Sequence, residues 1–142
     1  DHTFEIGKGK IVRDGKDVTI VACGVEVARA VEAAELLAAD GVEARVVNMA
    51  TIKPIDSDLL ARCAKHTGAF VTAEDHNILG GLGSAVAESL AGSHPCPIEF
   101  IGVKDVFGAS GEPEELAEQF GLTAPFIAKA AKRAIARKKK AK

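Results

Sequence analysis

With 142 residues, a formal net charge of −2 and 47% hydrophobic residues, the chain is sized for one domain burying about two-thirds of its unfolded surface. Six Phe but no Trp or Tyr argue against a stacking platform for single-stranded nucleic acid, so nucleic acid is not an expected partner. No apolar run reaches membrane-spanning length and no secretory leader is visible. Three cysteines without a Cys-x-x-Cys pair (Cys23, Cys63, Cys96) point to reduced thiols and a cytoplasmic protein.

Lys10–Arg13 and Val18–Cys23 are short apolar-leaning runs separated by Asp14-Gly15-Lys16-Asp17, a spacing that predicts an opening hairpin. The second run is almost wholly apolar, as in a strand covered on both faces. From Glu26 to Asp40 the period becomes helical. Val27, Val31, Ala34 and Leu37 or Ala38 form the inward stripe, with Glu26, Arg29, Glu32 and Glu35 away from it. Gly41 supplies a left-handed stop, and Glu43–Asn48 reads as a third strand.

Pro54 keeps its predecessor out of helix, and Asp56 is a good N-cap for a helix running to Thr67 and closed by Gly68. Ala69–Ala73 is the fourth strand, Gly83–Ala91 a helix and Ile98–Val103 the fifth strand. Acids and a proline in Glu112-Pro113-Glu114-Glu115 suit a first helical turn, ended by Gly121. Thr123 then caps a last helix whose buried stripe is Ile127, Ala130, Ala131, Ala134 and Ile135. From Lys129 to Lys142 there are eight Lys or Arg and no acid, which leaves ten basic against twenty acidic residues in the body. Cations suit the negative end of a helix dipole, and that is the reading preferred here over a nucleic-acid or lipid tail. Alternating strands and helices predict a single three-layer α/β domain over residues 1–142 with a mainly parallel sheet. The chain opens at Asp1 without Met, so it is expected to be a fragment of a longer one.

Ligands of open α/β sheets bind beyond the carboxyl ends of the strands. Three edges qualify: Gly24-Val25-Glu26, the loop from Glu74 to Gly83, and Lys104-Asp105-Val106-Phe107-Gly108. Gly80-Gly81-Leu82-Gly83 is neither a Walker loop nor a dinucleotide fingerprint. Helix amides there could approach an anion, or the glycines could serve close helix–strand packing. His76, flanked by Asp75 and Glu74, could be oriented as an acid or base, but no nucleophile is tied to it. Cys63-x-x-His66 and His94-x-Cys96 would have to converge to hold zinc, which is not expected. Arg45 and Lys53 read as surface charges and Glu112–Glu115 as a solvated helix start. No catalytic, cofactor-binding or metal residue is assigned; Asp75, His76, Gly80, Gly81 and Gly83 remain as candidates for an anion site or a domain interface.

Several of these stretches resemble one family. Val18–Gly24 with Val25-Glu26-Val27, Ala33-Ala34-Glu35-Leu36-Leu37, Thr51-Ile52-Lys53-Pro54-Ile55-Asp56, and Glu74-Asp75-His76 with Gly80-Gly81-Leu82-Gly83 look like the carboxy-terminal domain of transketolase. Ser110-Gly111-Glu112-Pro113-Glu114-Glu115-Leu116 and Phe120-Gly121-Leu122 extend the likeness over nearly the whole chain, including to transketolases split into two subunits. The resemblance implies a five-stranded sheet with its first strand antiparallel. It also implies a parent that moves two-carbon ketol units between sugar phosphates with thiamine diphosphate and Mg2+ held by preceding domains, in a homodimer or heterotetramer. The metal-and-diphosphate motif, beginning Gly-Asp-Gly, is missing from these 142 residues, so the implied role is structural and associative, without catalysis by the isolated chain. 1-Deoxyxylulose-5-phosphate synthase and the beta subunits of 2-oxoacid dehydrogenases carry a similar domain. The remaining alternative is a regulatory module holding an anion or nucleotide at Gly80–Gly83.

Overall fold

A computed structural model describes residues 4–104 and 111–141. Its elements are β1 (Lys10–Arg13), β2 (Val18–Ala22), α1 (Glu26–Ala39), β3 (Ala44–Asn48), α2 (Ser57–Thr67), β4 (Phe70–Asn77), α3 (Leu82–Ala91), β5 (Ile98–Val103), α4 (Pro113–Gln119) and α5 (Ala124–Lys140). The five strands form one sheet in the order β1-β3-β2-β4-β5, with β1 antiparallel to β3 and every other pair parallel. Helices α1 and α5 pack on one face around Ile20, Val46 and Val71, while α2 and α3 cover the other around Val21, Val47 and Phe70. This is the three-layer α/β arrangement with a lone antiparallel strand.

The opening hairpin does not form. Every residue of β2 is buried, so it takes the centre of the sheet with a parallel neighbour on each side, whereas exposed β1 is suited only to an edge. Strand β3 therefore lies between β1 and β2, and the Asp14–Asp17 connection crosses its entrance. Gly15 makes that crossing possible: a Cβ there would lie 2.4 Å from the Ala44 carbonyl carbon. The Asp17 amide donates to the Glu43 carbonyl at 2.9 Å, and the Glu43 amide returns a bond to the Asp17 carboxylate at 2.8 Å. Arg45 is likewise not a surface charge. It is buried on β3, donating to Asp14 at 2.8 and 3.0 Å and to the Cys63 sulfur at 3.5 Å.

Asp56 caps α2 as expected, accepting the Leu59 amide at 3.1 Å, and Gly68 closes the helix at φ 68°. Thr123 stands at the N-cap of α5 but makes no capping bond; its hydroxyl donates to Glu118 instead, at 2.8 Å. In α1 the buried stripe is Ala30, Ala33, Ala34 and Leu37 together with Glu26, with Val27 and Val31 at its margin and Ala38 exposed. The misplaced member is Glu26. It stands in the first turn, where its fully buried carboxylate pairs with Arg29 one turn on. The basic end of α5 is tied down in part: Lys138 donates to the carbonyls of Thr67 and Asp17 at 2.8 and 3.1 Å, and Arg137 and Arg133 bond Glu99.

Candidate functional site

Parallel order reverses around β2, since the chain passes from β2 to β3 on one side and then to β4 on the other. The carboxyl ends of β2 and β4 thus bracket the place where ligands of open α/β sheets collect. Gly24 leaves β2 at φ 59°, and Glu26 opens α1 directly behind it. On the other side β4 continues past the predicted Ala73 to Asn77, because the Ile78 amide still reaches the Val103 carbonyl at 2.9 Å. Glu74, Asp75 and His76 therefore belong to the strand, and the turn is confined to the residues after Asn77.

Glu74 decides the chemistry of this edge. Its side chain is 1% exposed and turns under the start of α3, where one oxygen accepts the Leu82 amide at 2.8 Å and the other the Gly83 amide at 2.7 Å. Free amides and a positive helix end make such a start an anion site, and here the chain's own carboxylate occupies it. Gly81 follows from that occupation, and its neighbours have reasons of their own. A Cβ on Gly81 would sit 1.9 Å from Glu74 Oε1, and one on Gly83 would press 2.6 Å from the Phe100 ring and 2.9 Å from the Thr72 hydroxyl. Gly80, at φ 79° with open space around it, supplies the left-handed turn. Its amide donates to Ser84 Oγ at 2.9 Å, and the Leu79 amide donates to Asn77 Oδ1 at 2.8 Å.

Asp75 and His76 are both exposed and do not form an acid–base pair. Successive strand residues point to opposite faces, and Asp75 lines the cleft between α1 and α4. The other neighbour, Glu74, has both oxygens committed to amides. Neither carboxylate is placed to orient the imidazole.

Glu26 differs from Glu74 in its partners. Its Oε1 holds Arg29, its Oε2 has no hydrogen bond, and Arg29 reaches onward to Glu114 on α4 at 3.0 Å. Burial pushes the Glu26 carboxyl above the usual range, against the pull of Arg29, with Asp75 and Glu114 adding to the rise. Burial also raises the Cys23 thiol, helped by Glu74 and Glu26, and lifts that of Cys96 to about 11. Thiols so placed stay protonated near neutrality and are poor nucleophiles. Cys63 is buried against Arg45 while His66 is exposed, so the helical pair diverges; no group of three or more His, Cys, Asp or Glu among the described residues is arranged to hold a metal ion. Of the third edge, Asp105–Gly108 lies outside the described residues, as does Ser110.

Sequence reasoning named Glu74 only as a flank of His76 and missed its cap. The available signal was an acid just past the apolar core of a strand, followed by a glycine-rich helix start, an arrangement that lets the carboxylate fold back onto the amides. For Glu26 the helical period gave the wrong face.

Known proteins place this architecture. A family model described as the C-terminal domain of transketolase matches residues 7–127. The 6-deoxy-6-sulfo-D-fructose transketolase subunit SqwH of Clostridium sp. (strain MSTE9) is 48% identical over 135 residues, covering 95% of this chain and 42% of the relative. A 1-deoxy-D-xylulose-5-phosphate synthase of Heliobacterium modesticaldum is 45% identical over 132 residues, covering 92% of this chain and 20% of that protein. Among solved structures, a split-gene transketolase described as an inactive β4 tetramer superimposes with a TM-score of 0.93 at 52% identity, over 95% of this chain and 44% of the other. The chain spans less than half the length of each of these relatives. It belongs to the transketolase C-terminal domain family.

Proposed function

We propose that the chain is the non-catalytic structural and association domain of a transketolase that transfers two-carbon ketol units between sugar phosphates with thiamine diphosphate and Mg2+. The observation that carries this reading is the Glu74 carboxylate across the amides of α3. A diphosphate at that helix start would meet a buried negative charge already holding the donors, so these residues do not fit the cofactor's anionic end. That supports a cofactor held by other parts of the enzyme.

Exposed apolar side chains support the associative role. Of the nine exposed large apolar side chains among the described residues, Ile6, Val25, Ile52 and Leu79 flank the carboxyl ends of the parallel strands. The segment before β1 reaches this edge as well, since the Gly7 amide donates to Thr51 Oγ1 at 2.9 Å. The opposite pole carries the basic end of α5. An apolar rim on one pole and a charged one on the other favour burial of the first against the upstream thiamine-diphosphate domains or subunit. Asp75, His76 and Gly80 lie on that rim as interface residues. The reading includes a homodimer or heterotetramer in the cytoplasm, with residues 1–142 as one domain. Among the described residues no helix is long and apolar enough to cross a membrane.

Isothermal titration calorimetry of this chain with thiamine diphosphate and Mg2+ is expected to show no tight binding. Tight, metal-dependent binding would overturn the reading. A parent of the 1-deoxyxylulose-5-phosphate synthase kind is the second reading, favoured by the 45% identical relative. It shares the associative role.

A further inference from the structure

A cleft of about 620 Å³ opens between α1 and α4 at the carboxyl edge of the sheet. That volume lies within the range of small-molecule sites, roughly 300–1,000 Å³. Its apolar lining includes Val103 at the end of β5, Leu116 and Phe120 around α4, and Leu122 beyond it. Among the described residues, four charged side chains line it too: Arg29 and Glu32 from α1, Asp75 from β4 and Glu114 from α4. Residues 105–110, between β5 and α4, lie outside the described residues.

The charges are not balanced. Arg29 is held between two carboxylates, the buried Glu26 and the exposed Glu114, so its positive charge is already matched within the protein. Glu32 and Asp75 have no ion-pair partner among the described residues and leave the lining with a surplus of negative charge. Behind the lining, the fully buried Glu26 keeps one oxygen without a hydrogen bond and adds to the negative potential. An apolar cavity focuses such a potential, because its walls screen charge less than water does. An anion or a neutral apolar molecule would leave the two carboxylates unmatched.

We propose that this cleft binds an organic cation, an ammonium or guanidinium group on an apolar body, with the charge drawn to the unpaired carboxylates of the lining, Glu32 and Asp75, and the body against Leu116 and Phe120. The same chemistry is offered by a free amine and by a Lys or Arg side chain of a protein packed on this edge. Val25 and Asp75 belong both to this cleft and to the rim assigned to association, so the two readings share one edge. Amine binding is read on the isolated chain and thiamine diphosphate binding by calorimetry, so the failure of one is told apart from the failure of the other.

The test is titration of the 15N-labelled chain, at low ionic strength, with 2-phenylethylammonium and two isosteres, 3-phenylpropionate and 2-phenylethanol. The amine is expected to give saturable shifts at the amides of Ala28, Asp75 and Ala117, with a dissociation constant on the order of 1 mM. Neither isostere is expected to saturate. The exposed pair Glu32→Gln and Asp75→Asn should weaken the amine at least about fivefold while leaving the spectrum dispersed. An amine that gives no saturable shift, or isosteres that match it, would overturn the proposal. A capped Leu-Lys-Leu peptide separates the sources. Binding about tenfold tighter than the amine assigns the cleft to a protein side chain, and equal or weaker binding assigns it to a free small molecule.

Discussion

Two glutamates are buried at the same edge of the sheet, one in β4 and one in the first turn of α1, and they have been treated very differently by the fold. Glu74 gives both oxygens to amides at the start of α3, and the chain bends around it so closely that Gly81 has no room for a methyl group. Glu26 gives one oxygen to Arg29 and leaves the other without a hydrogen bond. Buried carboxylates are tolerated when every lone pair facing the protein finds a donor, and a half-satisfied one remains a local cost. The first glutamate therefore reads as part of the frame. The second reads as a charge retained under the wall of a cleft for reasons other than stability.

The sharpest way to break the contrast is Glu74→Gln. The amide keeps the shape but turns one oxygen into an N–H donor facing another donor, and it removes the charge that favours the positive end of α3. A loss of about 3 kcal/mol is expected, from two charge-assisted bonds at a buried site. Urea unfolding of the variant and the parent, compared by midpoint at unchanged slope, checks it. A loss no larger than that from Glu26→Gln would collapse the distinction between the two residues.

The glycines come next in size. Gly81→Ala must displace Glu74 Oε1, and Gly83→Ala must displace the Phe100 ring or the Thr72 hydroxyl. Overpacking of this kind costs roughly 1–3 kcal/mol. Gly80→Ala meets no neighbour but is strained at φ 79°, at about 1 kcal/mol. Combining Gly81→Ala with Glu74→Gln sharpens the point: if Gly81 serves the carboxylate, the double variant should lose less than the two single losses together.

Much of this was legible in the residues, and the failures have identifiable causes. Helix α2 could be read from Asp56 to Gly68 because both end signals are local, a side-chain cap and a left-handed glycine. The five apolar runs gave the strands for the same reason. The pairing of β1 could not be read locally, because Asp14-Gly15 suits a hairpin equally well. What decides against the hairpin is the demand of β2 for two covered neighbours, a property of the finished sheet. Glu26 was misassigned because periodicity assigns a face by polarity. A buried acid supported by Arg29 and, through it, by Glu114 depends on α4, nearly ninety positions later in the chain. At the site, the glycine-rich turn was visible, but the direction in which Glu74 points was not.

The smallest expected effect carries the other half of the contrast. Glu26→Gln keeps an oxygen for Arg29 and replaces an unpartnered oxygen with an amide, so at pH 7 it should lie within about 1 kcal/mol of the parent. Its pH dependence has a definite sign. Because burial holds the folded carboxyl above its unfolded value, the folded state binds the proton more tightly. The penalty for the ionised form is present at neutral pH and is relieved as pH falls through the folded value toward the unfolded one. The parent should therefore gain stability relative to Glu26→Gln as pH falls from neutrality to the ordinary glutamate value. Urea midpoints of parent and variant at the two pH values measure the difference. If the gap stays constant or moves in favour of the variant on acidification, Glu26 is as well accommodated as Glu74, and the two carboxylates are equivalent after all.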